Sequence, residues 1–210
     1  MRDEQLLKCW RDGDRNAGQI LVKRHYDSLF MFFWGKVDEQ TSADLVQDTF
    51  ETLCTSQDRF RGDSSTRTYL FGIARWKLVD HLRKARKQRD RFDPLRDGID
   101  EDRVERSITS LFAHRQQQAL LVRGLRSLPL DDQLLLELKD YETLTARELA
   151  EVFGIPAGTM AGRISRARER LRRAVRALAS NTPIADETLE SLDSFFRGVR
   201  ATVRDAHTRP

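Results

Sequence analysis

Large apolar residues recur three and four positions apart from Asp3 to about Lys87: Leu6, Leu7 and Trp10, then Ile20, Leu21, Tyr26, Leu29, Phe30, Phe33 and Val37. This is the helical period, and the alternation of a half-buried strand is missing. A third helix is predicted to start near Ser42 or Asp44 and to carry Leu45, Val46, Thr49, Phe50 and Leu53. It stops before the polar, glycine-containing stretch from Arg61 to Arg67. A fourth runs from about Thr68 to Lys87, with Leu70, Ile73, Ala74, Leu78 and Leu82 turned to one side. Together these helices make one small domain, residues 1–88.

Residues 89–118 change character, with Asp93-Pro94, Gly98 and the acids Asp100, Glu101 and Asp102, and are predicted to be a flexible linker. Periodicity resumes at Leu120, Leu121, Leu125 and Leu128, breaks at Pro129, and restarts after Asp131, the predicted N-cap, with Leu134, Leu135 and Leu138. Three or four helices then fill a second domain, residues 119–179. Beyond it, Leu189, Leu192, Phe196, Val199 and Val203 keep helical spacing, so residues 180–210 are expected to form an amphipathic helical extension. The fold class expected is all-α: two small helical domains, a linker and a tail.

Within the second domain Thr145 and Glu148 have the spacing of a capping box, in which each side chain meets the other's backbone amide. The helix they start carries Leu149, Ala150, Val152 and Phe153 and ends at Gly154, suited to a left-handed cap. Ile155-Pro156 then leads into a helix from about Ala157. A helix, a glycine turn and a second helix form a helix-turn-helix, whose second member can enter a major groove. Met160, Ile164, Ala167, Leu171, Ala174 and Leu178 give that helix an apolar stripe, while Arg163, Arg166, Arg170 and Arg173 recur on another face.

Charge sharpens this picture. The 210 residues carry 37 Lys+Arg against 33 Asp+Glu, a net charge of only +4. The basic residues nevertheless cluster twice, between Arg83 and Arg91 and between Arg163 and Arg176, which points to two contacts with a polyanion. Cys9 and Cys54 stand alone, supporting neither a disulfide framework nor a metal site. No signal peptide or membrane span is expected, and no P-loop, GxSxG or HExxH motif occurs. The expectation is a cytoplasmic, non-enzymatic protein without a cofactor.

The stretch from Gly158 to Arg172, preceded by Leu128-Pro129, resembles region four of the extracytoplasmic-function (group-four) sigma factors of the sigma-70 family. Asp44 to Phe50, Arg59 to Asp63, Tyr69 to Arg75 and Asp80 to Arg83 resemble region two of the same family, in the same order. The resemblance implies an alternative sigma factor that carries core RNA polymerase, through its beta-prime clamp and beta flap, to promoter DNA. It assigns Asp44, Leu45, Gln47, Asp48 and Glu51 to polymerase binding. It assigns Phe60, Asp63, Ser64, Ser65, Thr66, Arg67, Tyr69, Arg75, Trp76 and Arg83 to the minus-ten DNA. Thr159, Ala161, Gly162, Arg163, Ser165, Arg166 and Arg170 fall to the minus-35 DNA. Two departures stand out: Trp76 replaces the family's usual Asn, and Ala161-Gly162 replace a basic residue and a Ser. Anti-sigma factors are common partners in this family; self-inhibition by the tail is a separate expectation, drawn from its apolar stripe, which the resemblance does not cover. The rival reading is a stand-alone helix-turn-helix regulator that needs no polymerase.

Overall fold

The computed structural model describes residues 1–34, 36–56, 64–92 and 116–179. Residues 93–115 of the predicted linker, the C-terminal extension, Phe60 and Asp63 lie outside the described residues, while residues 89–92 and 116–118 are helical. The chain divides into two compact units, Met1–Glu105 and Arg106–Pro210. Among the described residues no β-strand forms, apart from an isolated bridge between Trp34 and Val37.

The first unit is built from α1 (Asp3–Arg11), α2 (Arg15–Phe33), α3 (Glu39–Thr55) and α4 (Thr66–Phe92). Gly13, at φ 101°, makes the tight link between α1 and α2 in a conformation that other residues rarely adopt. Asp14 then caps α2, accepting from the amides of Asn16 at 2.9 Å and Ala17 at 3.2 Å. Gly18 lets α1 come close, since a Cβ there would lie 2.6 Å from the Trp10 indole. Asp3 ties the same two helices together, bonding Arg24 and, at 2.6 Å, Nε2 of the buried His25. The core is Leu21, Leu29, Phe33, Val46, Leu53, Leu70, Phe71 and Leu78, each at most 1% exposed.

Three boundaries differ from the sequence reading. Helix α3 starts at Glu39, before Ser42 or Asp44, because the Asp38 carboxylate accepts the Thr41 amide at 2.9 Å and caps it there. Helix α2 ends at Phe33, so Val37 is buried from the turn rather than from the helix. Helix α4 begins two residues early and continues to Phe92, its start closed by the Ser65 hydroxyl, which accepts the Thr68 amide at 3.1 Å.

The second unit comprises α5 (Gln116–Arg126), α6 (Leu130–Leu136), a wider π-helical turn at Glu137–Tyr141, α7 (Ala146–Phe153) and α8 (Ala157–Leu178). Asp131 is not the N-cap. Helix α6 begins two residues earlier behind Pro129, whose carbonyl accepts the amides of Asp132 at 2.9 Å and Gln133 at 3.1 Å. Asp131 and Asp132 are thereby left in the first turn, able to reach across to α8. The Thr145–Glu148 capping box forms as expected, with Glu148 accepting the Thr145 amide at 2.8 Å and Thr145 Oγ1 the Glu148 amide at 3.3 Å. Gly154 ends α7 at φ 64°.

Helix α8 buries Met160, Ala167, Leu171 and Val175, whereas Ile164, Ala174 and Leu178 are only half-buried. Val175 replaces Ala174 in the stripe because α5 meets α8 there, at Gly124, where a Cβ would come 2.7 Å from the Val175 side chain.

Candidate nucleic-acid interface

The helix-turn-helix leaves the start of α8 open on one side. Thr159, Ala161, Gly162, Ser165 and Arg166 are all exposed. Thr159 Oγ1 donates to the Pro156 carbonyl at 2.7 Å, and Arg166 Nε to the Gly162 carbonyl at 3.2 Å, so both point along the outer surface. A Cβ added at Gly158 or Gly162 would meet nothing within 4 Å. These glycines are not required by packing, and their space is available to a partner approaching the backbone.

The arginines do not form a single free stripe. Arg163 donates to Asp131 at 3.1 Å and lies 4.9 Å over the Phe153 ring. Arg168 pairs with Asp140 at 2.6 Å, and Arg170 with the buried Asp132. Three of the seven arginines between Arg163 and Arg176 therefore brace α8 against α6 and the π-helical turn, while Arg166, Arg172, Arg173 and Arg176 remain exposed. Arg163 and Arg170 belong to the minus-35 set implied by resemblance, and the structure gives each an internal partner. The acids responsible, Asp131, Asp132 and Asp140, are not legible from sequence as partners of these arginines, because a pairing 28 to 38 residues apart leaves no local spacing signal.

On α4 the side chains assigned to minus-ten DNA divide in the same way. Thr66 is fully buried, with its amide on Glu4 Oε1 at 3.4 Å, so it is a packing residue and not a surface contact. Ser65 caps the helix, and Tyr69 is half-buried with its hydroxyl donating to Ser56 Oγ at 3.1 Å. Arg67 lies 5.6 Å from the Phe71 ring centroid; Ser64 and Arg75 are half-buried. Trp76 is 63% exposed, an unusual position for the largest side chain, and Val79 one turn on is also exposed. Arg83 follows on the surface, bonded to Asp80 at 2.6 Å. Lys84 and Arg83 together hold the Asp80 carboxyl below its usual range.

Helix α3 presents Asp44, Gln47, Asp48 and Glu51 on one exposed face. Gln47 bridges to Glu51 at 2.9 Å, Gln40 to Asp44 at 3.0 Å, and Lys77 of α4 approaches Asp48 at 3.5 Å. Leu45, assigned to the same face, is only 7% exposed and belongs to the core, since it lies about 100° round the helix from Asp44, on the flank turned inward. Among the described residues no group of His, Cys, Asp and Glu is arranged to hold a metal ion, and no helix is long and apolar enough to cross a membrane.

Comparison with known proteins follows this division. The signature of Sigma-70 region 2 matches residues 21–88, and that of Sigma-70, region 4 matches residues 118–171. The chain belongs to the sigma-70 family. Relatives place this sigma factor in the extracytoplasmic-function group. It is 28% identical over 184 residues to the RNA polymerase sigma-H factor of Pseudomonas aeruginosa, covering 84% of this chain and 95% of that one. It is 27% identical over 186 residues to the ECF RNA polymerase sigma-E factor of Escherichia coli, covering 85% and 96%. Among solved structures it resembles CnrH in complex with the cytosolic domain of CnrY, with a TM-score of 0.60, 26% identity, and coverage of 83% and 97%. The fold is also that of the sigma factor RpoE in complex with the anti-sigma factor NepR from Bartonella quintana, with a TM-score of 0.58, 22% identity, and coverage of 75% and 96%. The sigma factor thus binds core RNA polymerase and directs promoter recognition and transcription initiation. The match to region 2 separates it from a stand-alone helix-turn-helix regulator.

Proposed function

We propose that the sigma factor divides its work among three surfaces. The ridge of Asp44, Gln47, Asp48 and Glu51 docks on the basic clamp of the polymerase beta-prime subunit, where complementary charge sets orientation and encounter rate. The α4 surface around Trp76 receives the minus-ten DNA: an exposed indole beside Arg75 and Arg83 is suited to stacking an unstacked base while cations track the strand. The open edge of α8 reads the minus-35 duplex through Thr159, Ser165 and Arg166, with Ala161 and Gly162 admitting close backbone approach, while the second unit docks on the beta flap. The protein performs no chemical step of its own and acts in the cytoplasm.

The observation that carries this reading is Trp76, a large ring left 63% exposed on the helix that follows the acidic ridge in the same unit. Run-off transcription with core polymerase, followed by start-site mapping, tests it. Start sites that depend on the added chain, and that shift in sequence preference with Trp76→Asn, are expected. An unchanged preference would remove Trp76 from the minus-ten surface.

Regulation by an anti-sigma factor belongs to the same proposal, since CnrH and RpoE, whose fold this chain resembles, were solved in complex with the cytosolic domain of CnrY and with the anti-sigma factor NepR. Self-inhibition by residues 180–210 is the competing arrangement. Truncation after Ala179 separates the two: a folded and more active product supports the tail, and unchanged activity supports an external partner.

A further inference from the structure

One arginine of α8 is held differently from the rest. Asp131 in the first turn of α6, Phe153 at the last residue of α7 and Arg163 in the second turn of α8 meet at a single guanidinium. Its Nη2 donates to Asp131 Oδ2 at 3.1 Å, and its centre lies 4.9 Å from the Phe153 ring centroid. The Arg163 side chain is 25% exposed and that of Asp131 42%, so the cluster lies at the rim of the domain. Gly162 and Arg166, both exposed, flank Arg163 on the helix. A carboxylate therefore sits beside the edge of α8 that faces DNA in the proposed reading.

A free cation at this edge would bind the phosphates of any duplex, since phosphate contacts add affinity without carrying sequence. A guanidinium held by a carboxylate on one side and a ring on the other must give up both to do so. We propose that Asp131 is a specificity-determining residue: by caging Arg163 against Phe153 it withholds that cation from the phosphates of any duplex whose bases do not first hold α8 in the groove, and the cage opens only on the promoter. Asp131 does not touch the bases; it positions Arg163. The inference rests on the reading of α8 as the minus-35 helix. A purely structural strut between α6 and α8 predicts something else, a lower melting temperature with affinity for all sequences falling together.

The test uses holoenzyme assembled from the full chain and core polymerase. Its probes are a labelled promoter duplex found by start-site mapping and the same duplex with its upstream element scrambled, both titrated over a range of salt. Asp131→Asn, nearly isosteric and uncharged, should tighten binding to the scrambled duplex and steepen its log–log salt slope by about one. That corresponds to roughly three- to fourfold more loss of affinity between about 50 and 200 mM salt. The preference for promoter over scramble should fall by a similar factor. Asp131→Glu should return both readouts toward the unmodified protein, and in an Arg163→Ala background Asp131→Asn should no longer steepen the slope. Should Asp131→Asn prove unstable, Arg163→Lys carries the same expectation, because an ammonium lacks the flat fork that fits both carboxylate and ring. Unchanged slopes, or equal weakening on both duplexes, would overturn the role of Asp131. Loss of the reading itself looks different: unmodified holoenzyme would hold promoter and scramble equally, and Arg166→Ala would have no effect.

Discussion

The exposed acids of α3 and the arginines of α8 recur at the same helical spacing, yet the two faces are built for different ends. On α3, Asp44, Asp48 and Glu51 are exposed; neighbouring glutamines of the same helix bond Asp44 and Glu51, and Lys77 approaches Asp48 at 3.5 Å. On α8, three arginines turn back onto acids of α6 and the π-helical turn, one of them onto the buried Asp132. Periodic charge therefore marks a face but does not say whether its charges are offered outward or used to hold the domain. The difference matters energetically, because an exposed pair contributes little while a partly desolvated one resists loss of either partner.

The largest effect is expected on α3. Reversing charge with Asp44→Arg and Asp48→Arg should abolish association with core polymerase while leaving the helix content intact, as measured by co-elution and circular dichroism. Normal co-elution would show that the acidic face is merely solvated. On α8, Arg166→Ala should lower promoter affinity by roughly 1–3 kcal/mol at one base pair if it reads a base, or weaken all duplexes alike if it meets phosphate. Titration against single-base promoter variants distinguishes the two.

The internal pairs predict a stability difference of intermediate size. Asp132→Ala leaves Arg170 without its carboxylate, and since the Arg170 side chain is 46% exposed, water recovers part of the loss; about 1–2 kcal/mol is expected. Glu169→Ala, which breaks a pair with Arg172 that is exposed on both sides, should fall within about 0.5 kcal/mol. Equal shifts in chemical denaturation would erase the proposed contrast. Gly162→Ala should stabilise the second unit by up to about 1 kcal/mol, because the residue is helical and an added methyl meets nothing. A simultaneous loss of promoter affinity would show close backbone approach at that position.

The smallest expected effect lies in the first unit. Burial holds the His25 imidazole below its usual value of 6.5, only partly offset by the bond to Asp3. In the window just under 6.5 the unfolded chain therefore binds more protons than the folded one, and stability falls as the pH drops through it. Asp3 is opposed by its burial, but the bonds from His25 and Arg24 prevail and keep its carboxyl below the usual 3.8, adding a further loss as pH falls through that value. Melting curves of His25→Gln should lose the upper part of this slope. An unaltered slope would assign it to other groups.

Sequence alone determined the all-helical class and the helix-turn-helix with its capping box and left-handed glycine. Each rests on spacing within one helix or one turn, where backbone geometry ties residue order directly to position. The same reasoning put the starts of α3 and α6 in the wrong place, because adjacent capping residues compete and the winner depends on what the neighbouring side chains meet. Leu45 and Thr66 carried motif positions yet proved to be core, since a motif records order and not the direction a side chain faces after packing. Which arginines of α8 brace the domain was decided only by tertiary structure: their acids arrive from 28 to 38 residues away, and only the packing of α6 and its π-helical turn against α8 brings the charges within reach.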